Sequence, residues 1–551
     1  MLEQNNGSIS GAYETLKTDR QNYVDAAIES AKFTLPPLFL DTDEDQTNEL
    51  KHRYRTPDSS IGASGLNNLS STLLLAVFPS NVPFFRQNLT SNFMKRLEEQ
   101  QGANAKPLKA EIEQSLRKVE NTALEILEGG STRADLYEIL RQYLLGQVLI
   151  YQNPKDNSVR GFKLNQYVNV RAGDGKVLRY IIQEFIDPAN LSEKIQEEAE
   201  ITAEMLKPSK TAPVRIGMYT DVRLVKKGHW ETIQEINGHI IESTRQKFRD
   251  DSMPYYDIAF NRILGQQYGS GFIEGLLGDL KAINGLTRSI NEGALISART
   301  VFGVNPSSTT SPEELLDTPN GGYIRAQPTD VFAIRVEKNS DYASAFNALS
   351  ELKGSINVAF MSQFAARRDA ERVTAAEFTE LAEEINEALG GAFSRLSVEL
   401  QAPLARLTLK FMRRKNMIKK DIDSSNITKT TIITGISALG RGNDKARING
   451  LLNDLQLAAG VGFQTIASKF DEDELALRMV NSNSINASGL LKSEDQQQQE
   501  ATAAQQQDSA QQLTDNGVEL MKAGIANPEG AQVMGDQFQE FTEATQQEPP
   551  Q

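Results

Sequence analysis

The longest regular hydrophobic spacing in the chain runs from Phe378 to Phe411. Apolar side chains recur there every three or four residues, which places them along one face of a helix of roughly ten turns. Directly before it, Thr374-Ala375-Ala376-Glu377 has the capping-box pattern, whose hydroxyl and carboxylate satisfy free amides at a helix start. Gly390-Gly391 and Pro403 interrupt the spacing, since glycine frees the backbone and proline lacks an amide donor. The pattern therefore predicts one long helix with two bends.

A short basic segment comes immediately before this helix. Its arginines are Arg367, Arg368 and Arg372. They either present positive charge to an anionic ligand or pair with the neighbouring Asp369 and Glu371, and the residues alone give the two interpretations equal weight. A second basic group follows the helix and is a further candidate for such contacts. It comprises Arg413, Arg414 and Lys415.

Helical spacing predicts further helices in the rest of the chain. They cover about residues 11–31, 61–78, 108–127, 136–144, 269–300 and 341–364. The helix predicted over 269–300 is unusual because it carries six glycines, each of which weakens a helix interior by up to about 1 kcal/mol. Close approach between helices in a crowded assembly would account for them, and so would a frayed helix; the two explanations have equal weight.

Between residues 148 and 248 the hydrophobic period shortens towards two, which is typical of strands. Strands are predicted at 168–170, 177–182, 214–225 and 239–241. Gly173-Asp174-Gly175 and Asn237-Gly238 are hairpin-turn sequences. Prolines and a strand-like run at 331–334 predict a compact insertion between two helices over 302–336, and a later strand is predicted at 430–434. The expected fold class is α+β, mainly α with β-rich portions.

Composition restricts the function classes. The chain has 551 residues, no cysteine and a net charge of −15, so thiol nucleophiles, thiolate metal sites and disulfides are excluded. The stretch 493–551 holds eleven acidic residues and one lysine, which leaves the rest of the chain close to neutral. A protein of this charge is not expected to bind nucleic acid by broad phosphate neutralisation, and any DNA contact should be local. No apolar run is long enough to span a bilayer, and no signal peptide is recognisable, so we expect a soluble protein.

Candidate catalytic chemistry is sparse. The sequence has three histidines and none of the usual phosphate-loop, nucleophile-elbow or zinc-helix motifs. His229 and His239 lie ten residues apart across a predicted turn without a third ligand nearby, so we expect no metal site. We therefore expect neither a catalytic site nor a cofactor.

Several distinctive motifs occur in a fixed order along the chain. They are Tyr13-Glu14-x-Leu16-Lys17-x-Asp19-Arg20, Gly65-Leu66-Asn67-Asn68-Leu69, Ala76-Val77-Phe78-Pro79, Arg372-Val373-Thr374-Ala375-x-Glu377, Leu389-Gly390-Gly391, Leu404-x-Arg406 and Gly435-Ile436-x-Ala438-Leu439-Gly440-Arg441-Gly442. Together they resemble the motifs of one family, the head-to-tail connector, or portal protein, of short-tailed, autographivirus-type bacteriophages. The resemblance covers about residues 11–492.

The resemblance implies a phage portal fold and a ring, usually of twelve subunits, around a DNA channel at one capsid vertex. In that arrangement the chain divides into a wing (1–268), a first stem helix (269–300), a clip (301–338), a second stem helix (339–365), a channel loop (366–373), a long kinked wing helix with the following strand (374–439), a crown (440–492) and a Gln-rich acidic tail or barrel (493–551). Arg367, Arg368 and Arg372 would then lie in the channel loop, and Arg413, Arg414 and Lys415 would be channel or crown contacts.

The resemblance also implies partners and a location. The expected partners are further copies of the chain, double-stranded DNA, the major capsid protein, the scaffolding protein, the terminase large subunit, the tail adaptor or tail tube protein and internal core proteins, with no membrane. The expected location is the capsid vertex of the virion, and the host cytoplasm during assembly. Two alternatives stay open: a structural adaptor of the virion without a pore, and a nucleic-acid packaging enzyme.

Overall fold

A computed structural model describes eleven stretches of the chain, all within one compact unit, Met1–Asn443. They are residues 8–39, 56–79, 83–101, 105–206, 215–298, 301–308, 310–319, 321–334, 339–362, 391–418 and 428–432. The predicted capping box, the predicted acidic tail and Gly390 lie outside the described residues.

Helices are found where the spacing predicts them at 11–31, 61–78, 108–127 and 136–144, and three helices at 91–101, 193–198 and 312–317 were not predicted. The described helices are α1 (Ile9–Lys32), α2 (Ile61–Val77), α3 (Ser91–Gln101), α4 (Ala105–Glu128), α5 (Thr132–Leu145), α6 (Glu193–Glu198), α7 (Leu277–Ala298), α8 (Pro312–Asp317), α9 (Asn339–Ala359), α10 (Ala392–Leu396) and α11 (Ala402–Arg414), with a π-helical turn at Ser397–Gln401 between the last two. In α5, for example, Leu136, Ile139, Leu140 and Tyr143 are all buried, as the spacing of three and four requires.

Two helix boundaries differ from the prediction. Gly269 and Gly271 are not helical: Ser270 between them bridges to Gly146 and to Asn261. A side chain on Gly271 would lie 2.3 Å from the backbone carbon of Leu145, so these glycines permit close backbone approach of extended segments. The helix starts at Leu277 instead. The helix predicted over 341–364 ends at Ala359, because Met361 adopts a left-handed backbone conformation with φ of 55°.

The twelve described strands form four antiparallel sheets. They are β1 (Phe85–Leu89), β2 (Val148–Gln152), β3 (Val159–Phe162), β4 (Tyr167–Arg171), β5 (Val177–Ile186), β6 (Ile216–Lys226), β7 (His229–Ile236), β8 (His239–Arg249), β9 (Tyr255–Ile258), β10 (Val301–Val304), β11 (Val331–Ile334) and β12 (Thr428–Ile432). The largest has the order β4-β5-β6-β7-β8, and the others pair β3-β2-β9, β1-β12 and β10-β11. The fold is thus helix-rich with several antiparallel sheets.

Both predicted hairpin turns are confirmed. Gly175 has a φ of 84° between β4 and β5, and Asn237 and Gly238 have φ of 54° and 81° between β7 and β8. Positive φ at two successive turn residues is the geometry that joins twisted antiparallel strands by a tight loop. These turns set the register of the five-stranded sheet.

The five-stranded sheet is covered differently on its two faces. On one face, Ile9 and Tyr13 of α1 pack with Val168, Ile181 and Ile233. The opposite face contributes to the main core, where side chains of the sheet meet those of α2, α5 and α11. Its buried members include Tyr180, Ile182, Val222, Leu73, Leu140 and Leu407. Since neighbouring residues of a strand point to opposite faces, the two sets alternate along the chain.

Arg20 of α1 is fully buried and connects the helix to this sheet. Its Nη1 donates to the Tyr13 hydroxyl at 3.1 Å and to the carbonyl oxygen of Tyr167 at 2.7 Å. A buried guanidinium needs such acceptors, because an unpaired charge in the interior is costly. The Asp19-Arg20 motif therefore has a structural explanation, which is fixing α1 on the sheet.

The helices α7 and α9 pack side by side and carry a small module between them. Leu280 and Ile283 of α7 and Leu349 and Ile356 of α9 are buried. The module comprises the β10-β11 pair, in which Val301 lies opposite Ile334, and α8. The strand predicted at 331–334 is confirmed, and so is the insertion between two helices. Along the described part of α7, side chains on Gly278 and Gly285 would meet no atom within 4 Å, so these two glycines serve no close packing against other described residues.

No helix among the described residues combines the length and the apolar character needed to cross a bilayer.

Candidate functional site

The structure places half of the predicted basic residues. Arg367, Arg368 and Arg372 fall in residues 363–390, which are outside the described part. The other group ends α11: Arg413 is half-buried, Arg414 and Lys415 are exposed, and the Lys415 ammonium lies 5.9 Å from the centre of the Phe411 ring. Residues on each side of the first group are described, and both sides contact α2.

Before the basic segment, the chain is anchored at Phe360. Its ring is fully buried and lies against Gly65 of α2. A Cβ atom on that glycine would stand 2.2 Å from Cδ2 of the ring. Only glycine leaves room for the ring at this point. Gly65 is therefore the packing site on α2 for the residue that follows α9.

Asn68 adds a polar contact to the same anchor. Its Nδ2 donates to the carbonyl oxygens of Phe360 and Met361, both at 3.1 Å. The last carbonyls of a helix have no partner within the helix, so a side-chain donor satisfies them. Asn68 therefore helps to fix where α9 stops.

Gly65→Ala is expected to destabilise the protein by about 1–3 kcal/mol, because the added methyl group overpacks the buried Phe360 ring. The thermal unfolding midpoint of the purified chain measures this effect. Gly173→Ala is the matched control, since a side chain at Gly173 would meet nothing within 4 Å. Equal midpoints for the two variants would contradict the anchor.

After the basic segment, the chain is anchored a second time on α2. Gly391 has a φ of 81° and begins α10. The following turn is π-helical: the N–H of Ala402 donates to the carbonyl oxygen of Ser397. Pro403 has no N–H to continue the α-helical bonding, which favours a widened turn just before it. In this turn the Nε2 atom of Gln401 donates to the carbonyl oxygen of Val77 at 2.5 Å.

The predicted Pro403 bend lies in the described part, whereas of the predicted Gly390-Gly391 bend only Gly391 does. Both anchors lie on one helix, α2. Asn68 and Val77 are nine residues apart, about 14 Å along the axis of α2. The chain leaves α2 at Met361 and returns to it at Gln401. Sequence analysis noted the Gly65–Leu69 and Ala76–Pro79 motifs and the glycine and proline positions, but did not connect them.

A buried cluster of charges holds the returning helix against the sheets. Asp257 of β9 contacts Arg171 of β4, and it also accepts from Arg262 at 2.6 Å and from the Tyr180 hydroxyl at 2.5 Å. Arg262 in turn contacts Glu399 of the π-helical turn at 3.2 Å. The Asp257 carboxylate is thus occupied by two guanidinium groups and a phenol, and the cluster serves to position the turn.

The titration properties of this cluster follow from its burial. Burial raises the pKa of Glu399, although Arg262 counteracts the shift. Burial and the Asp257 charge likewise hold the pKa of Tyr180 well above its usual value. Sequence analysis missed all of these residues, because Arg171, Asp257 and Glu399 come from three separate stretches.

The histidines form no metal centre in the described stretches. His239 Nε2 lies 3.8 Å from Glu200, and among the described residues no group of three or more potential ligands could hold an ion.

Comparison with known proteins gives a consistent result. The sequence model of the family described as bacteriophage head to tail connecting protein matches residues 6–491. The portal protein of Escherichia phage T7 is 30% identical over 525 residues, which cover 93% of each chain. The portal protein of Enterobacteria phage T3 is 29% identical and covers 93% of this chain and 92% of its own, and that of Enterobacteria phage SP6 is 26% identical over 79% and 80%.

A solved structure, the neck of a native GTA particle computed with C12 symmetry, overlaps 73% of this chain and 89% of its own, with a TM-score of 0.33 and 12% identity. A likeness at this level supports no conclusion about this chain.

Proposed function

This chain belongs to the bacteriophage head to tail connecting proteins, and from that membership we propose that its copies form a twelve-subunit ring around a channel for double-stranded DNA. The ring occupies one vertex of the capsid, where it starts head assembly, admits the genome and later joins the tail. The observation that carries the proposal is the match over residues 6–491 together with 30% identity to a portal protein over 93% of both chains.

The regions of the ring follow the order of the chain. We assign residues 1–268 to the wing, 269–300 and 339–365 to the stem, 301–338 to the clip, 366–373 to the channel loop, 374–439 to the long wing helix and strand, 440–492 to the crown and 493–551 to the tail or barrel. The paired α7 and α9 with a small sheet module between them support a stem that carries a clip. The uncovered glycines of α7 support close contact between neighbouring stems.

The channel loop carries Arg367, Arg368 and Arg372 in this proposal. The two anchors on α2 are consistent with it, because they hold the described chain ends on either side of the loop, at Met361 and at Gln401. A channel must pass the duplex without retaining it, since each phosphate contact adds affinity and salt dependence. A few arginines at one constriction meet this requirement better than a wholly basic wall.

The proposed partners follow from the regions. The clip contacts the terminase large subunit during packaging and the tail adaptor or tail tube protein afterwards. Leu316, Tyr323 and Phe332 are exposed apolar side chains of that module and are candidates for these contacts. The wing and crown contact the major capsid protein, the scaffolding protein and internal core proteins.

The relatives give no support to a packaging enzyme or to an adaptor without a pore, because all of those named above are portal proteins.

Native mass spectrometry of the purified chain tests the ring. Twelve copies of the 60.9 kDa chain sum to about 731 kDa, and an assembly with that mass or one subunit more or fewer is expected. A monomer or dimer that persists after scaffolding protein is added would contradict the proposal.

A further inference from the structure

One end of the five-stranded sheet carries a cluster of exposed cations that the channel proposal does not use. They are Lys226 at the end of β6, Lys227 in the following turn, and Lys247 and Arg249 in β8. All four side chains are exposed. This cluster, called the basic sheet end, lies in an acidic chain with a net charge of −15, so a local excess of positive charge requires an explanation.

The register of the strands brings these side chains together on one face. Lys226 lies opposite His229, and His229 lies opposite Arg249. Lys247 lies opposite Glu231, which shares a face with His229 because the two are two residues apart. Neighbouring strands are about 4.8 Å apart, and residues i and i+2 of a strand about 7 Å apart. Lys226, Lys247 and Arg249 therefore lie within one small area, and Lys227 directly follows Lys226 in the turn.

The alternation of side chains along the strands also points these cations towards solvent. Trp230 and Phe248 lie opposite each other and point to the other face, where they pack against the main core. The cation-bearing face is covered by α1 only further along, at Ile181 and Ile233. The basic sheet end is thus the uncovered remainder of a face whose other part is packed.

All but one of the nearby acids are paired with a cation. Glu231 accepts from Arg223 and Arg245, both at 2.8 Å, and Glu242 accepts from Arg245 at 2.7 Å. Asp251 pairs with Lys410 at 2.6 Å. The exception is Asp250, whose Oδ1 accepts a hydrogen bond from a neutral donor, the Trp230 indole N–H, at 2.5 Å.

Against that one carboxylate stand four cations. None of the four forms an ion pair with another residue in the stretches that the structure describes. An excess of about three positive charges is left. Lysine on an edge strand discourages pairing with other strands, and Lys247 lies on the edge strand β8. Lys226 has no such explanation, because its strand β6 is in the interior of the sheet.

From this juxtaposition we propose that the basic sheet end is a second DNA-binding surface, which contacts the phosphates of duplex DNA outside the channel. Clustered lysine and arginine without bound acids are the feature that phosphate backbones recognise irrespective of sequence. The inference goes beyond the proposed channel, because it uses none of the residues of the channel loop and requires no free DNA end.

Binding to relaxed, closed-circular duplex DNA tests the proposal, because a circle has no end that can enter a channel. The probe is incubated with the assembled full-length protein over a series of salt concentrations. The variant replaces Lys226, Lys227, Lys247 and Arg249 by alanine. The control variant removes four exposed lysines elsewhere, at Lys118, Lys155, Lys176 and Lys194, and so changes the net charge equally.

Loss of up to four phosphate contacts per subunit should weaken binding about tenfold or more at physiological salt. It should also make the slope of log affinity against log salt less steep by up to about 3.6. The control variant should bind the circle as the wild type does. Absence of wild-type binding, or equal loss in the control variant, would overturn the proposal.

Discussion

Replacing Arg367, Arg368 and Arg372 together by alanine is expected to leave the ring assembled and to impair packaging or retention of DNA. Removing these guanidinium groups lowers the positive charge facing the duplex, and each lost phosphate contact should reduce the salt slope of DNA retention by roughly 0.9. Ring mass and the amount of genome retained per head are the two measurements. An effect on ring formation alone would mean that the arginines form ion pairs between subunits.

The acids of the same segment provide the control for this experiment. Asp369→Ala with Glu371→Ala removes the partners that the alternative interpretation assigns to the arginines. If the arginines face DNA, this double variant should retain DNA at least as well as the wild type, because the loop becomes more positive. If it has the same defect as the arginine variant, the charges of the segment pair with each other.

Asp257→Asn is expected to destabilise the protein by about 3–5 kcal/mol, because it leaves buried Arg171 and half-buried Arg262 without their shared counter-charge. The side chains of Asp257 and Arg171 are only 5% and 3% exposed, so water cannot replace the carboxylate. The midpoint of thermal unfolding, measured by circular dichroism, should fall clearly.

The control for this substitution is Asp174→Asn. Asp174 also pairs with a cation, Lys176 at 3.4 Å, but both side chains are mostly exposed, and solvent screening makes such surface pairs contribute little to stability. A midpoint for Asp257→Asn as high as that of Asp174→Asn would show that the charge cluster is not what holds the π-helical turn.

Local patterns in the sequence predicted the parts of the fold that depend on neighbouring residues. The helix α1, the turns at Gly175 and Gly238, and the strand β11 all follow from spacing or from turn chemistry within a few residues. The pairing of β1 with β12 was not predictable in this way, because Gln87 and Thr430 lie opposite each other across most of the chain. No local pattern specifies such a pairing.

In the candidate site, too, local features were predictable and long-range contacts were not. The widened turn before Pro403 was recognisable, because a proline acts on its own backbone. The anchors were not, because they join Gly65 and Asn68 to Phe360 across almost 300 residues. Gly65 and Asn68 belong to a family motif, but the motif alone does not predict which residue they contact.

The ring itself is the central claim, and negative-stain electron microscopy of the purified full-length chain tests it most directly. Rings of about twelve subunits with a central hole are the expected result, with or without scaffolding protein. Rods or single particles without a hole, in the presence of scaffolding protein as well as in its absence, would contradict a channel-forming connector.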